Sequence, residues 1–364
     1  MANNSLSSEE LLRYSRQIHL QEIRLSGQER LKKARVLCVG AGGLGSSLLL
    51  YLTAAGIGRL GLVDSDTVEL SNLQRQVLYR QSQISDSKAA SASAQILALN
   101  STVQVDTYCE KLTEDSVERF VSEYDIVADC SDNFYTNYLL HDVCFSQRKP
   151  YVYASVSQFQ GYCSLFHRKQ GSCLRCLFPT PPDPKIIPPC NEGGILGVVP
   201  GIMGIIQATE VIKWLLGIGH LLENRLLVAD LLKMTFREIQ LSQNPDCQLC
   251  GHNQPLQNLH YPSKPAHWLS LANYSITSKD MHRLLKKQWV TLVDVRSTEE
   301  HEAHNIGGEL LPLTELPERL TELNPNHLII LYCYSGERSI QALNILLEAG
   351  FSSVKYLMGG ISGI

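Results

Sequence analysis

Two Cys-x-x-Cys pairs carry the clearest chemical signal in this sequence. Cys173 and Cys176 stand in CLRC, and Cys247 and Cys250 stand in CQLC. A single pair of this kind could be redox-active, but two pairs together supply the four thiolates of a tetrahedral zinc site. With all four positions filled by protein, such a site has no open position for catalysis. The sequence therefore predicts a structural Zn²⁺ that contributes to folding.

A different kind of cysteine, Cys333, opens the six-residue loop CYSGER, which ends at Arg338. This loop joins a predicted strand to a predicted helix, so its backbone N–H groups can point at the sulfur, and the helix dipole adds to their effect. Such a loop stabilises a thiolate or a persulfide anion. We therefore expect Cys333 and Arg338 to be catalytic; the alternative is a cysteine simply buried at a strand end.

The glycine-rich stretch VLCVGAGGLGSS, residues 36 to 47, predicts a phosphate-binding turn. Gly40, Gly42 and Gly45 fit G-x-G-x-x-G, Gly43 lies among them, and an apolar strand-like run precedes them. Glycines let the backbone approach a ligand, and the following helix directs its free N–H groups at an anion. This motif by itself suits NAD and ATP equally well.

Charged residues farther along the chain favour ATP. Asp64 follows the second strand-like run, where a carboxylate can accept hydrogen bonds from ribose hydroxyls. Arg75 and Lys88 supply two cations for a triphosphate, and Asp132 can hold Mg²⁺. A dinucleotide needs no such cluster. Taken singly, the two cations could be surface residues and Asp132 a helix N-cap.

An alternation of strands and helices must position these residues. Apolar strand-like runs lie at 35 to 39, 60 to 63, 103 to 108, 124 to 129 and 151 to 156, and helical patterns lie at 44 to 56, 87 to 99, 113 to 121 and 134 to 147. This order predicts a mostly parallel sheet covered by helices. A Pro-rich loop, a long apolar helix from about 197 to 216 and two further strand-like runs, RLLVADL and MTFREIQL, follow.

The length of 364 residues predicts two α/β domains. We place the first at 1–251, a linker rich in Pro, His and Asn at 252–268, and the second at 269–364. The second contains helical patterns at 277 to 287 and 337 to 349, with the strand-like runs VTLVDV, LIILYC and SVKYL.

Composition narrows the function classes. A net charge of −4 gives no support for a nucleic-acid or anionic-membrane partner. The N-terminus lacks the apolar core of a signal peptide, and polar residues interrupt the longest apolar stretch, so we expect a soluble cytoplasmic protein. Its 11 cysteines then favour metal ligands and catalytic thiols over disulfides. The remaining strand and helix cysteines suit small buried hydrophobic positions, namely Cys38, Cys109, Cys130, Cys144 and Cys163.

From about residue 8 to 251 the sequence resembles the ThiF/MoeB family of ubiquitin-activating-like adenylyltransferases. The shared motifs are RYSRQI, GAGGLGS, LVDSDTVELSNLQRQ, the lysine of DSKAA, DCSDN and the two Cys-x-x-Cys pairs. The resemblance implies a Rossmann-like fold in which Asp64 binds ribose, Arg75 and Lys88 bind the phosphates of ATP, and Asp132 positions Mg²⁺. It further implies that Asn72 and Gln74 lie in the nucleotide pocket.

Two further roles come from the same resemblance. The family's arginine at the position of Arg16 reaches the phosphates of a neighbouring subunit, which implies a homodimer with composite sites. Cys190, at the end of the Pro-rich loop, matches the thiol that attacks an acyl-adenylate or acyl-persulfide intermediate. Its place just before a helix would stabilise its thiolate.

Residues 269–364 resemble a rhodanese domain, through LVDVRSTEEH, CYSGERS and YLMGG. Rhodanese-like phosphatases have one more residue in the cysteine loop, so the shorter loop favours sulfur transfer. Two departures are visible: EAHNIGGELL replaces the usual Gly-His-Ile-Pro-Gly-Ala stretch, and the sequence ends at GGISGI, where the family continues with an aromatic residue and a last helix. We therefore expect a C-terminal end that is shortened relative to the family.

The two resemblances together imply one reaction sequence. ATP and Mg²⁺ would convert the C-terminal glycine of a ubiquitin-like sulfur carrier protein ending in Gly-Gly into an acyl-adenylate. Sulfur from a persulfide or thiosulfate donor, held on Cys333, would then give a thiocarboxylate with the help of Cys190. The carrier and the pathway stay open: molybdopterin, tRNA thiolation, thiamin and cysteine synthesis all fit.

Three alternatives remain at this point. An NAD-dependent oxidoreductase explains the glycines and Asp64 but not Arg75, Lys88 or the rhodanese-like loop. A non-catalytic binder of a ubiquitin-like protein would not need the intact set of charged residues. An enzyme that adenylates the carrier but transfers it to protein lysines has the same sequence features in its first domain.

Overall fold

Two β-sheets organise the chain. The computed structural model describes residues 6–167, 171–180, 194–251, 261, 274–287 and 289–363. By its contacts the chain divides into two compact units, Met1–Ser263 and Lys264–Ile364, and each contains one of the sheets.

The sheet of the first unit has eight strands. They are β1 Arg35–Val39, β2 Arg59–Val63, β3 Gln104–Tyr108, β4 Ile126–Asp129, β5 Tyr151–Ser157, β6 Gln160–Phe166, β7 Arg225–Asp230 and β8 Thr235–Gln240. Their spatial order is β3-β2-β1-β4-β5-β6-β7-β8. The pairs from β3 to β5 are parallel, and those from β5 to β8 are antiparallel. The predicted mixed α/β class is confirmed.

Helices cover this sheet. They are α1 Ser8–Arg13, α2 Ser15–Ile18, α3 Arg24–Lys33, α4 Gly43–Ala55, α5 Lys88–Leu99, α6 Glu114–Ser122, α7 Phe134–Ser146, α8 Leu174–Leu177 and α9 Val198–Leu216. Strands β1, β2 and β4 are almost entirely buried, which explains why their sequences are continuous apolar runs. Since β1, β2 and β4 are parallel neighbours, the loops that follow them meet at one edge of the sheet.

The long helix α9 packs on the sheet of the first unit and is partly buried. It packs against α4 and β5, and Gly204 permits this approach because a Cβ there would lie 2.2 Å from the carbonyl oxygen of Leu44. By length and composition α9 could cross a membrane. Two polar residues of this helix, Gln207 and Glu210, are nevertheless buried against the rest of the first unit. We therefore interpret α9 as a core helix of that unit.

The sheet of the second unit is entirely parallel. Its strands are β9 Ser275–Ile276, β10 Val290–Asp294, β11 Glu309–Leu310, β12 Leu328–Tyr332 and β13 Val354–Leu357, in the order β11-β10-β12-β13-β9. The helices are α10 Ser278–Leu284, α11 Thr298–Ala303 and α12 Glu337–Glu348. The central strand β12 is buried along its whole length. The two-residue strands β9 and β11 and the short helix α11 were not predicted.

A buried ion pair joins α7 to α8 in the first unit. The guanidinium of Arg175 binds the carboxylate of Asp142 through two nitrogens, at 3.0 and 2.7 Å, and both side chains are only 3% exposed. The neighbouring His141 accepts a hydrogen bond from the N–H of Leu174 through Nε2 at 3.1 Å. These contacts hold α8, which begins after Cys173 and contains Cys176, against the core.

We predict that Asp142→Ala destabilises the protein strongly. The substitution leaves the Arg175 guanidinium buried without its carboxylate, which costs about 3–5 kcal/mol. Urea-induced unfolding of the full chain measures this loss. The matched control is Glu110→Ala, which removes the partner of Arg119 from an exposed pair and should cost less than about 1 kcal/mol. Equal losses in the two variants would contradict the assigned role.

Candidate functional site

The glycine turn between β1 and α4 is formed by close backbone contacts. Gly40 has a φ of +92°, and a Cβ at this position would lie 2.6 Å from the carbonyl oxygen of Cys130. A Cβ on Gly45 would lie 2.2 Å from the carbonyl oxygen of Gly40, and one on Gly43 would lie 2.9 Å from Cβ of Pro200. Each of these positions therefore excludes larger residues for packing reasons.

Gly42 is different, because a Cβ there would make only an ordinary van der Waals contact. The nearest atom to a Cβ built there is Nε2 of Gln76, at 3.7 Å. Gly42 is also the N-cap of α4 and has no side chain to cap the helix, so the first N–H groups of α4 are available to a ligand. This arrangement fits the predicted phosphate-binding turn.

Asp64 anchors the glycine turn from the end of β2. Its carboxylate accepts hydrogen bonds from the backbone N–H groups of Ala41, at 2.7 Å, and of Asp66, at 2.8 Å. Burial raises the pKa of Asp64 above its ordinary value, while the positive charge of Lys88 opposes this. Asp64 therefore lies at the end of the second strand, as expected for a residue that binds ribose. It also holds the backbone of the glycine turn in place.

The two predicted phosphate-binding cations lie at this edge of the sheet. Lys88, the first residue of α5, is 93% buried and places Nζ 3.0 Å from the Asp66 carboxylate. Arg75 donates to the carbonyl oxygen of Ser71 at 3.0 Å, and its Cγ lies 3.6 Å from the position of a Cβ on Gly43. Arg75 thus lies beside the start of α4, and Lys88 lies beside the loop that follows β2.

Asn72 and Gln74 occupy the segment that leads to Arg75. Asn72 is buried and accepts a hydrogen bond from the N–H of Glu69 at 3.2 Å, which closes a short 3₁₀ turn. Gln74 is exposed, and its carbonyl oxygen lies 2.2 Å from the position of a Cβ on Gly197.

Sequence reasoning did not identify Gln76 as a site residue. Gln76 is 96% buried beside Gly42, and its Oε1 has no hydrogen-bond partner in the described part of the chain. The sequence motif could not predict this unpaired amide oxygen, because the burial of Gln76 depends on the folded structure.

Asp132 lies in the loop between β4 and α7. It is exposed, and its carboxylate has no hydrogen bond or ion pair with any residue that the structure describes. The helix N-cap is instead Asn133, which accepts a hydrogen bond from the N–H of Thr136 at 2.9 Å. The cap alternative for Asp132 is therefore wrong. Its exposed carboxylate is of the ligand type that Mg²⁺ prefers.

The last two predicted residues of this site are Arg16 and Cys190. Arg16, in α2, is exposed and makes no hydrogen bond or ion pair within the described ranges. Cys190 lies outside the described residues, so its predicted role stays a prediction.

The four predicted zinc ligands come together. Their sulfur atoms all lie within 4.8 Å of one another, with 3.5 Å between Cys173 and Cys247 and 3.2 Å between Cys176 and Cys250. A tetrahedral site with Zn–S bonds of about 2.3 Å has its sulfurs about 3.8 Å apart. The cluster fits a tetrahedral metal ion.

The Cys333 loop of the second unit curls around the sulfur. Cys333 is fully buried, and the backbone N–H of Gly336 donates to its Sγ at 3.1 Å. The backbone N–H groups of Ile361 and Ser362 bind the carbonyl oxygens of Cys333 and Tyr334, at 2.9 and 3.0 Å. The turn Gly360–Gly363 therefore binds two carbonyl oxygens of the cysteine loop. The N–H of Gly336, in the same loop, is directed at the sulfur.

A second ion pair fixes Arg338 beside this loop. Its guanidinium binds both carboxylate oxygens of Glu300, at 2.6 and 2.7 Å, and Arg338 lowers the pKa of Glu300 to about 2. Asp294, buried at the end of β10, binds Arg296 and lies 2.8 Å from Nδ1 of His301. Sequence reasoning missed these partners, although LVDVRSTEEH contains them all.

We predict that two glycine substitutions in the turn separate folding from ligand binding. Gly45→Ala should destabilise the protein because its Cβ meets backbone. Gly42→Ala should fold normally, because its Cβ meets no atom closer than 3.7 Å, and it should weaken nucleotide binding, because the added methyl group lies beside the first N–H groups of α4. Thermal unfolding and calorimetric binding of a nonhydrolysable ATP analogue measure the two effects. Unchanged nucleotide affinity in Gly42→Ala would contradict this assignment of the turn.

Comparison with known proteins supports this geometry. Residues 14–249 match the ThiF family, and residues 277–364 match the rhodanese-like domain. The probable adenylyltransferase/sulfurtransferase MoeZ of Mycobacterium tuberculosis is 38% identical, over 98% of this chain and 93% of its own length. The adenylyltransferase and sulfurtransferase MOCS3 of Arabidopsis thaliana is 35% identical, over 98% and 84%.

Two further comparisons cover less of the chain. The sulfur carrier protein adenylyltransferase of Thermus thermophilus is 45% identical, over 69% of this chain and 94% of its own length. The crystal structure of E. coli MccB with ATP has the same fold, with a TM-score of 0.59 and 24% identity, over 66% of this chain and 75% of that one. The resemblance inferred from the motifs is confirmed: the chain belongs to the ThiF family and carries a rhodanese-like domain.

Proposed function

We propose that this protein adenylates the C-terminal glycine of a ubiquitin-like sulfur carrier protein and then replaces one carboxylate oxygen with sulfur. The observation that supports the proposal is the presence, in one chain, of a glycine turn with Arg75 beside it and Lys88 beside the neighbouring loop, and of a cysteine loop around Cys333. The relatives MoeZ and MOCS3 combine both activities in their names, and the Thermus relative is named for a sulfur carrier protein.

In the adenylation step, a carboxylate oxygen of the carrier attacks the α-phosphorus of ATP, and pyrophosphate leaves. Arg75 and Lys88 neutralise charge that develops on the leaving phosphates, and the N–H groups of α4 add to their effect. Asp132 would hold Mg²⁺, which supplies charge neutralisation on the phosphates. The product is an acyl-adenylate, which is open to attack by a sulfur nucleophile.

In the transfer step, the terminal sulfur of a persulfide on Cys333 attacks the activated carbonyl carbon, and AMP leaves. The Cys190 thiolate then attacks the Cys333 sulfur of the resulting acyl disulfide, and the thiocarboxylate leaves with the electron pair of the broken S–S bond. A thiol reductant is needed to reopen the Cys190–Cys333 disulfide. The donor that reloads Cys333 is a persulfide or thiosulfate, and the common chain keeps this sulfur near the acyl-adenylate.

The proposal also covers the role of each region of the chain, the oligomeric state and the cellular location. Residues 1–251 would carry out adenylation, residues 269–364 would supply sulfur, and 252–268 would link them. Arg16 is exposed and unpaired within the described chain, which supports its use at the site of a second copy in a homodimer. We further propose that the protein acts in the cytoplasm, without nucleic-acid or membrane partners.

We predict that two substitutions separate the two steps. Asp132→Ala should reduce carrier-dependent pyrophosphate release at least about 100-fold, since it removes a metal ligand. Cys333→Ala should leave pyrophosphate release intact and abolish thiocarboxylate formation, because only the sulfur nucleophile is lost. Pyrophosphate assays and intact-mass analysis of Gly-Gly-ending carriers, with a persulfide or thiosulfate as donor, measure the two steps.

The matched control for these substitutions is Asp115→Ala, on the exposed start of α6, which should match the unmodified protein. If Cys333→Ala still produced a thiocarboxylate, the role of the second unit would be wrong. If no carrier stimulated pyrophosphate release by the unmodified protein, the adenylation proposal would fail.

We also propose that the four-cysteine cluster holds one structural Zn²⁺. Metal analysis of the purified full chain should find one zinc per chain, and chelation should lower the unfolding temperature by about 10 °C or more, because the cluster joins α8 to the segment after β8. Cys176→Ser should have a similar effect. An unchanged unfolding temperature after complete zinc removal would rule out a structural role.

A further inference from the structure

A buried carboxylate lies directly beneath the loop that carries Asp132. Asp129, the last residue of β4, is 0% exposed. Its Oδ1 accepts hydrogen bonds from the N–H and the hydroxyl of Ser131, at 2.9 and 2.6 Å. Its Oδ2 accepts hydrogen bonds from Nδ2 of Asn137, at 2.8 Å, and from the hydroxyl of Tyr151, at 2.5 Å. All four donors bind one carboxylate that no solvent reaches.

These hydrogen bonds fix the loop on both sides of Asp132. On the N-terminal side, Ser131 is bound to Asp129 through its backbone and its side chain. On the C-terminal side, Asn133 is held as the cap of α7. The backbone at Asp132 is therefore fixed, whereas its own carboxylate is exposed and unpaired within the described chain. This is the arrangement expected for a carboxylate whose position matters for a ligand.

The same loop is fitted to the phosphate turn. The Cys130 carbonyl oxygen would lie 2.6 Å, and the Ser131 nitrogen 3.0 Å, from a Cβ on Gly40. From the opposite side, Nε2 of Gln207 donates to the carbonyl oxygen of Asp129 at 2.8 Å. A shift of the loop would therefore change the distance between Asp132 and the glycine turn.

Core packing alone does not account for this network. A carboxylate without solvent is costly to bury, and burial raises the pKa of Asp129. A well-packed apolar residue at such a site is often equally stable or more stable than a charged one. Tyr151 is likewise buried, and its hydroxyl reaches Asp129 and the carbonyl oxygen of Asn137.

We propose that Asp129 and Tyr151 are positioning residues that hold the Asp132 loop at the distance from the glycine turn that metal-bound nucleotide requires. The proposal rests on the proposed function in one respect, namely that Asp132 is a ligand of the metal ion. Neither residue touches the nucleotide in this scheme, and both act through Ser131 and the loop backbone.

The test is Tyr151→Phe in the full chain, since it removes only the hydroxyl that binds Asp129. We expect the affinity of Mn²⁺ for the complex with a nonhydrolysable ATP analogue, measured by electron paramagnetic resonance, to fall at least about fivefold. We also expect excess Mg²⁺ to restore pyrophosphate release. The substitution should raise the Mg²⁺ concentration needed for half-maximal activity more than it lowers the maximal rate. Unchanged Mn²⁺ affinity would overturn the proposal.

The matched control is Tyr138→Phe. Tyr138 is also fully buried, and its hydroxyl donates to the carbonyl oxygen of Phe178 at 2.6 Å, so this variant loses a comparable hydrogen bond elsewhere. It should lower the unfolding temperature to a similar extent without changing Mn²⁺ affinity. An equal fall in Mn²⁺ affinity in both tyrosine variants would mean that Tyr151 affects metal binding only through overall stability, and it would overturn the proposal.

Two more variants complete the experiment. Ser131 is partly exposed, so Ser131→Ala should fold even if Tyr151→Phe does not. Because it removes one donor to Asp129, we expect it to lower Mn²⁺ affinity to a smaller extent. Asp132→Ala tests the proposed function itself. If Asp132→Ala leaves Mn²⁺ affinity unchanged, the metal assignment fails. If it weakens Mn²⁺ binding while Tyr151→Phe and Ser131→Ala do not, only the positioning proposal fails.

Discussion

The close contact between Gly40 and the backbone of Cys130 is the constraint on which the nucleotide end of the first unit depends. With a φ of +92° and a carbonyl oxygen 2.6 Å from the position of a Cβ, only glycine fits there. The contact brings the turn after β1 against the loop after β4. Because β2 lies on the other side of β1, Asp64 reaches the same turn and binds the N–H of Ala41. Three parallel strands thus deliver three loops to one small region.

Two carboxylates, one partly buried and one fully buried, hold these loops in place. Asp64 supports the glycine turn, and Asp129 supports the loop that carries Asp132. Asp64 accepts hydrogen bonds from two backbone N–H groups, whereas Asp129 accepts them from Ser131 in its loop and from Asn137 and Tyr151 in α7 and β5. The N–H groups at the start of α4 and the Asp132 carboxylate are available to a ligand, whereas Lys88 and Arg75 already bind the Asp66 carboxylate and the Ser71 carbonyl oxygen. In the proposed function, the supporting groups would keep the loops in place while the available groups bind the phosphates of ATP.

The second unit uses the same principle around sulfur. The turn Gly360–Gly363 binds carbonyl oxygens of the cysteine loop, so Gly336 can present its N–H to Cys333. Arg338 is held by Glu300, which lies in α11 and not in the loop. A short loop held by outside elements is suited to an anionic sulfur, because its donors are already oriented before the sulfur is loaded.

The sequence by itself determined the features that depend on local spacing. The glycine turn, the two Cys-x-x-Cys pairs and the cysteine loop are each encoded within a few residues, and the alternation of apolar strands and helices predicted the two α/β sheets. The four thiols come together as predicted, because two chelating pairs need only one long-range approach. Elements of two residues, such as β9 and β11, could not be predicted, because their pairing depends entirely on neighbouring strands.

Only the tertiary structure decided which side chains support the site. Tyr151 reaches Asp129 across 22 positions, Arg175 reaches Asp142 across 33 and Arg338 reaches Glu300 across 38. Nothing in the local sequence distinguishes these partners from other tyrosines or acidic residues. The choice of Asn133 over Asp132 as helix cap likewise depended on where the loop after β4 places each side chain. Hydrogen bonds and ion pairs act only over a few ångströms, so such partnerships exist only after packing has brought distant segments together.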